Sequence, residues 1–134
     1  MQITSQSLYN RISPKKIREL AKVLHGLAPT EATNRLALRS GKAGKILAKV
    51  IAAASANATN NHKLDVSTLR IKTIEVGKGP AFKRFQPVSR GMAHPYKKRT
   101  SHIKVILTQV EKKVEKVEKV ETVDIKEKKE ASKK

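Results

Sequence analysis

The sequence predicts an α+β fold: three helices packed on a small three-stranded antiparallel sheet, with a long extended β-hairpin and a low-complexity C-terminal tail. Apolar residues recur at helical spacing between residues 17 and 24 and again between 43 and 58. They alternate with polar ones over 69–76 and 102–110, the period of a strand. Between those two strands lie 25 residues without a single acid, and near Val110 the composition changes abruptly.

The elements follow in chain order. Gln2 to Tyr9 is the weakest strand candidate. Ser13 before Pro14 gives a cap and first-turn signal; Ile17, Leu20, Ala21 and Leu24 then fall on one helical face until Gly26 stops the helix. Pro29 opens a second short helix with Ala32, Leu36 and Leu38 as inward candidates, ending near Ser40 and Gly41. A third helix runs from about Lys42 to Asn61, with Ala43, Leu47, Val50, Ile51, Ala54 and Ala58 on one face and Lys42, Lys45 and Lys49 on the other. Leu69, Arg70, Ile71 and Lys72 then alternate, and Ile74 and Val76 continue the strand past an expected bulge. Ile103, Val105 and Leu107 share one face of the last strand, which should pair antiparallel with the one before it. Burying each apolar face once puts three helices on one side of the sheet.

Residues 1–110 are therefore expected to form one domain and residues 111–134 a charged tail. Val114, Val117, Val120 and Val123 recur every third residue, a spacing that drifts around a helix and leaves no coiled-coil seam, so the tail reads as solvated. The chain carries 30 Lys and Arg against 11 Asp and Glu, a net charge of +19. The tail is nearly balanced, whereas residues 1–110 hold 21 basic groups and only four acids, Glu19, Glu31, Asp65 and Glu75. A charge of that size in one small domain repels itself and calls for a polyanionic partner. With no Cys there are no disulfides or thiolate metal sites. Neither a leader pattern at Met1 to Asn10 nor a membrane-spanning run is visible, so a soluble cytoplasmic protein is expected.

The segment from about Gly77 to Ser101 is far longer than a hairpin turn requires. It holds Lys78, Lys83, Arg84, Arg90, Lys97, Lys98 and Arg99. With a tip near Pro87 to Ala93, each arm has about ten residues and reaches about 30 Å beyond the body. A lone two-stranded arm buries too little to be stable in water, so its partner must supply the packing. Basic side chains interleaved with Phe82, Phe85 and Tyr96 fit RNA, whose phosphates attract the cations and whose unpaired bases stack on the rings.

Other chemistries fit less well. His25, His62, His94 and His102 are too scattered for a zinc site, and no nucleophile or carboxylate pair accompanies them. Neither an enzyme nor a cofactor or metal is expected, and no small-molecule substrate. Two short helices near the start could suggest a DNA-binding helix-turn-helix, yet the Ala-rich third helix offers lysines for phosphates and no base-reading end.

Three runs, SPKKIRELAKVLHG at 13–26, SANATNNHKLDV at 55–66 and GPAFKRFQPVSRGMAHPYKKRTSHIKVIL at 79–107, together resemble the universal L twenty-two family of large-subunit ribosomal proteins, bacterial type. The resemblance spans about residues 5–110 in the same order. It implies a domain on the outer surface of the large subunit around the peptide exit, with its hairpin threading through ribosomal RNA. The partners implied are large-subunit ribosomal RNA, neighbouring large-subunit ribosomal proteins, and the nascent peptide at the tip. Carried over position by position, it assigns RNA contacts to Ser13, Lys15, Lys16 and Arg18 at the start of helix one, and to Asn57, Asn61 and His62 at the end of helix three. Lys78, Lys83, Arg84, Arg90, Lys97, Lys98, Arg99, Ser101 and His102 complete the expected RNA-binding set along the hairpin. Pro87, Val88, Ser89, Arg90, Gly91, Met92 and Ala93 are the expected tunnel-lining tip, less arginine-rich here than the family's usual sequence. The tail inherits no function from the resemblance.

Overall fold

The computed structural model describes residues 2–110; the expected tail lies outside the described residues. Chain order is β1 (Gln2–Asn10), α1 (Pro14–Leu24), α2 (Pro29–Leu38), α3 (Lys42–His62), a 3-10 turn (Val66–Thr68), β2 (Leu69–Pro87), a second 3-10 turn (Ser89–Gly91) and β3 (Ala93–Gln109). The sheet has the order β1-β3-β2, both pairs antiparallel, so the last strand lies in the middle. The predicted α+β class, the three helices and the weak N-terminal strand are all present.

Alternation decides which face is covered. Ile103, Val105 and Leu107 of β3 are wholly buried, and Ile3 of β1 and Ile71 of β2 lie level with Leu107 on the same side. Ile17, Leu36, Leu47, Ile51, Ala54 and Ala58 from the helices close over them. Between Ile71 and Thr73 the register shifts by one residue, the expected bulge. Three residues apart on a regular strand, Ile71 and Ile74 would point to opposite faces; the extra residue, Lys72, turns both toward the core.

Ser13 occupies the N-cap position of α1 and Pro14 its first turn, but the Ser13 hydroxyl makes no capping hydrogen bond. After Leu24 the chain turns at Gly26, where φ is +79°, a value that favours a residue without Cβ. The next residues lie against β2: the Gly26 amide donates to the Ile71 carbonyl and the Ile71 amide to the Leu27 carbonyl, both at 2.9 Å. This loop covers part of an edge that would otherwise be open to other chains.

In α2, Pro29, Ala32 and Leu36 are buried, but Leu38 is 90% exposed and not an inward residue. Leu38 follows Leu36 by two positions, about 200° around the helix, so both cannot face the core. In α3 the lysine edge of Lys42, Lys45 and Lys49 is exposed as expected. Gly44, unremarked in the sequence, is buried where α3 meets α2; a Cβ there would stand 3.4 Å from the Leu36 and Arg39 carbonyl oxygens. The helix ends at His62, and Lys63 takes the left-handed conformation that closes it. Among the described residues no helix is long and apolar enough to cross a membrane.

Candidate nucleic-acid interface

Beyond the body, β2 and β3 continue as a two-stranded ribbon in which Ala81 pairs with Arg99 and the register holds to Pro87 and Ala93. The seven residues from Ala81 to Pro87 account for about 23 Å of reach at strand rise. Directly opposed residues share a face. One face carries Phe82, Lys98, Arg84, Tyr96, Gln86 and His94; the other carries Arg99, Lys83, Lys97, Phe85 and Pro95. Each face thus has cations and at least one aromatic ring, and every residue from Ala81 to Arg99 is exposed. Lys83 stands directly opposite Lys97, a repulsive pair with no anionic group paired to it among the described residues. The ion pairs among the described residues are Arg35 with Glu31 at 3.5 Å and Lys104 with Glu75 at 3.4 Å, neither on the ribbon. Its six basic side chains have no anionic partner among the described residues.

The tip is tight. The Val88 amide donates to the Met92 carbonyl at 2.9 Å, while Arg90 and Gly91 both adopt positive φ, +61° and +67°. Gly91 takes this conformation freely; Arg90 does so at some cost. Val88, Ser89, Gly91, Met92 and Ala93 make a small, mostly uncharged end with Arg90 as its one cation.

At the root a second register shift falls between Lys78 and Ala81, which the sequence reading did not foresee. The Thr100 hydroxyl donates to the Pro80 carbonyl at 2.6 Å, tying the arms together where the ladder is interrupted. His102 Nδ1 accepts from the Tyr9 amide at 3.1 Å, and the two rings meet edge to face at 4.8 Å. His102 is thus engaged within the protein. Ser101 is 0% exposed, its hydroxyl buried with no hydrogen-bond partner, so it offers no surface to an external partner. Arg18 donates to the Val76 carbonyl at 2.9 Å, which fixes the start of α1 to β2 while leaving the residue exposed.

Beside the root lies a cleft of about 930 Å³, formed where the ribbon passes the start of α1 and the turn between α2 and α3. Arg11, Lys16, Arg39, Lys42, Arg84, Lys97, Lys98 and Arg99 line it, with Glu19 the one acid. Two helices begin at its wall. Ser13 lies at the N-cap of α1 and Gly41 at that of α3; neither end has a side-chain cap or an acid in its first turn, unlike α2 with Glu31. Free amides and the positive dipole ends therefore add to the side-chain cations, and the whole arrangement favours an anion.

Of the expected residues, the fold gathers Ser13, Lys16, Arg84, Lys97, Lys98 and Arg99 around this cleft. Lys15 and Lys78 are exposed nearby in sequence, and Lys83 lies farther out on the ribbon. Asn57, Asn61 and His62 are at the opposite end of α3, about 25 Å from Lys42 at helical rise, and belong to a different surface. Sequence reasoning missed Arg11 and Arg39, isolated cations in turns with no periodicity to mark them. Among the described residues no group of His, Cys, Asp or Glu is placed to hold a metal ion.

The model of the family described as Ribosomal protein L22p/L17e matches residues 5–108. The protein named large ribosomal subunit protein uL22 from Akkermansia muciniphila is 41% identical over 111 residues, covering 83% of this chain and 99% of its own length. The protein of the same name from Thermus thermophilus is 42% identical over 107 residues, covering 80% and 95%. That from Opitutus terrae is 37% identical over 108 residues, covering 81% and 96%.

Proposed function

Because this chain belongs to the L22p/L17e family of ribosomal proteins, a structural constituent of the large ribosomal subunit and not an enzyme, we propose that its ribbon and basic cleft bind large-subunit ribosomal RNA and hold it during subunit assembly. The observation that carries this reading is the two-sided ribbon. A strand pair that lay on a partner would need one basic face; this one has cations and aromatic rings on both, and neither is covered by the described residues. Such an arm suits insertion between RNA segments, where phosphates neutralise it on each side and unpaired bases stack on Phe82, Phe85 and Tyr96.

The contacting set is Ser13, Lys15 and Lys16 with the arm residues Lys78, Lys83, Arg84, Lys97, Lys98 and Arg99, joined by Arg11, Arg39 and Lys42 from the cleft. Ser101, being buried, is left out of it. Asn57, Asn61 and His62 form a second contact surface, for RNA or for a neighbouring ribosomal protein. The tip from Pro87 to Ala93 lines the nascent-peptide tunnel: a small end with one cation would let a growing chain pass without trapping it. Both the resemblance of the hairpin sequence and its protruding geometry support this placement, and the work is done in the cytoplasm as part of the ribosome.

Replacing Lys83, Arg84, Lys98 and Arg99 together with Ala tests the reading. Incorporation into large subunits, followed by sedimentation, should fall by about tenfold or more as several phosphate contacts are lost, while the helical circular-dichroism signal stays. Normal incorporation would remove the arm as the RNA anchor.

A further inference from the structure

The cleft at the hairpin root contains more than phosphate ligands. Its volume, about 930 Å³, lies within the range of pockets that enclose a small molecule. Its lining includes buried Ile12, the half-buried Leu20 and Ala43, and Phe82. The Arg84 guanidinium carbon stands 5.8 Å from the Phe82 ring centroid, so the ring is held beside a cation. Phosphate binding alone needs no apolar lining; a surface of cations is enough. A concave pocket with an apolar floor, an aromatic wall and a cationic rim matches instead a flat aromatic group bearing negative charge on each side.

We propose that this cleft receives one unpaired nucleotide extruded from the RNA, its base against Phe82 and the Ile12, Leu20 and Ala43 surface, its flanking phosphates at Lys16, Lys42 and Lys98. This rests on the RNA-binding reading above and adds to it the form of RNA that the site takes. A duplex cannot supply the ligand, because its bases are stacked and paired. The ribbon contributes one wall and the helical body the other, so the nucleotide also fixes the angle between them.

The test uses the full chain and two RNAs at one moderate salt concentration: a ten-nucleotide single strand with a central 2-aminopurine, and the same strand annealed to its complement. Wild-type protein should bind the single strand more tightly and change the 2-aminopurine fluorescence. F82A should lose about fivefold or more of that affinity, the weaker end of what one stacked base contributes, with duplex affinity altered less than about twofold. F82W should keep the preference. F85A removes a ring from the opposite face of the ribbon, outside the cleft, and should cost much less than F82A. Phe82 is half exposed on the arm, so the body should stay folded in each variant, which circular dichroism verifies. Equal losses from F82A and F85A, or an equal loss on both RNAs, would overturn the nucleotide site and leave RNA binding standing. If the wild-type chain bound neither RNA, the RNA-binding reading would fall, and this proposal with it.

Discussion

At position 79 the two arms of the hairpin approach so closely that a Cβ would overlap the Thr100 hydroxyl and stand 3.1 Å from His102 Nε2. Thr100 is held to Pro80 and His102 to the Tyr9 amide, so neither can move aside without losing a hydrogen bond. The constraint at Gly79 is steric, whereas Gly26 and Gly91 are needed for positive φ. Gly79→Ala should therefore destabilise the protein by about 1–3 kcal/mol, as overpacking does, seen as a lower urea midpoint with an unchanged slope. Ala at position 77, where the nearest atom would be His102 Cβ at 3.6 Å, should cost clearly less. Equal stability of the two variants would show that the root tolerates the extra methyl.

The helices and the body strands were legible because each carries its own period, and the bulge at Lys72 because Ile71 and Ile74 could not otherwise share a face. The second shift, around Gly79 and Pro80, was not: either residue is equally at home in a turn. Leu38 is apolar, but its angle on the helix turns it away from Leu36 and the core. The ribbon's charge and rings could be read from sequence, but the cleft could not, since Arg11, Arg39 and Lys98 are far apart along the chain and meet only in the fold. As an element the ribbon stands apart from the strands it continues. Ile103, Val105 and Leu107 are under three helices, whereas no element among the described residues covers Ala81 to Arg99. In the free protein the amides of 82–98 should exchange at least about a hundredfold faster than those of 103–107, and slow on binding ribosomal RNA. Uniform protection along β3 in the free chain would contradict this.

For the whole molecule, the 21 basic and four acidic groups of residues 1–110 make affinity a matter of ions as much as of shape. If about eight of the cations at the cleft and ribbon meet phosphates, the logarithm of the binding constant should fall with the logarithm of salt at a slope of about −6 to −7. A slope shallower than about −3 would mean that most of those groups meet no phosphate. The strand order has a consequence of another kind, in time. Within the sheet, β3 is the one strand that β1 and β2 each pair with, and it is the last element of the domain to be synthesised. Ile3 waits for Leu107 to arrive, and so does Ile71. No part of the sheet can form while the chain is short, and the pairing that completes the core joins its two ends. Until then a growing chain has helices but no sheet to bury them against, so this domain closes only once synthesis has passed residue 109.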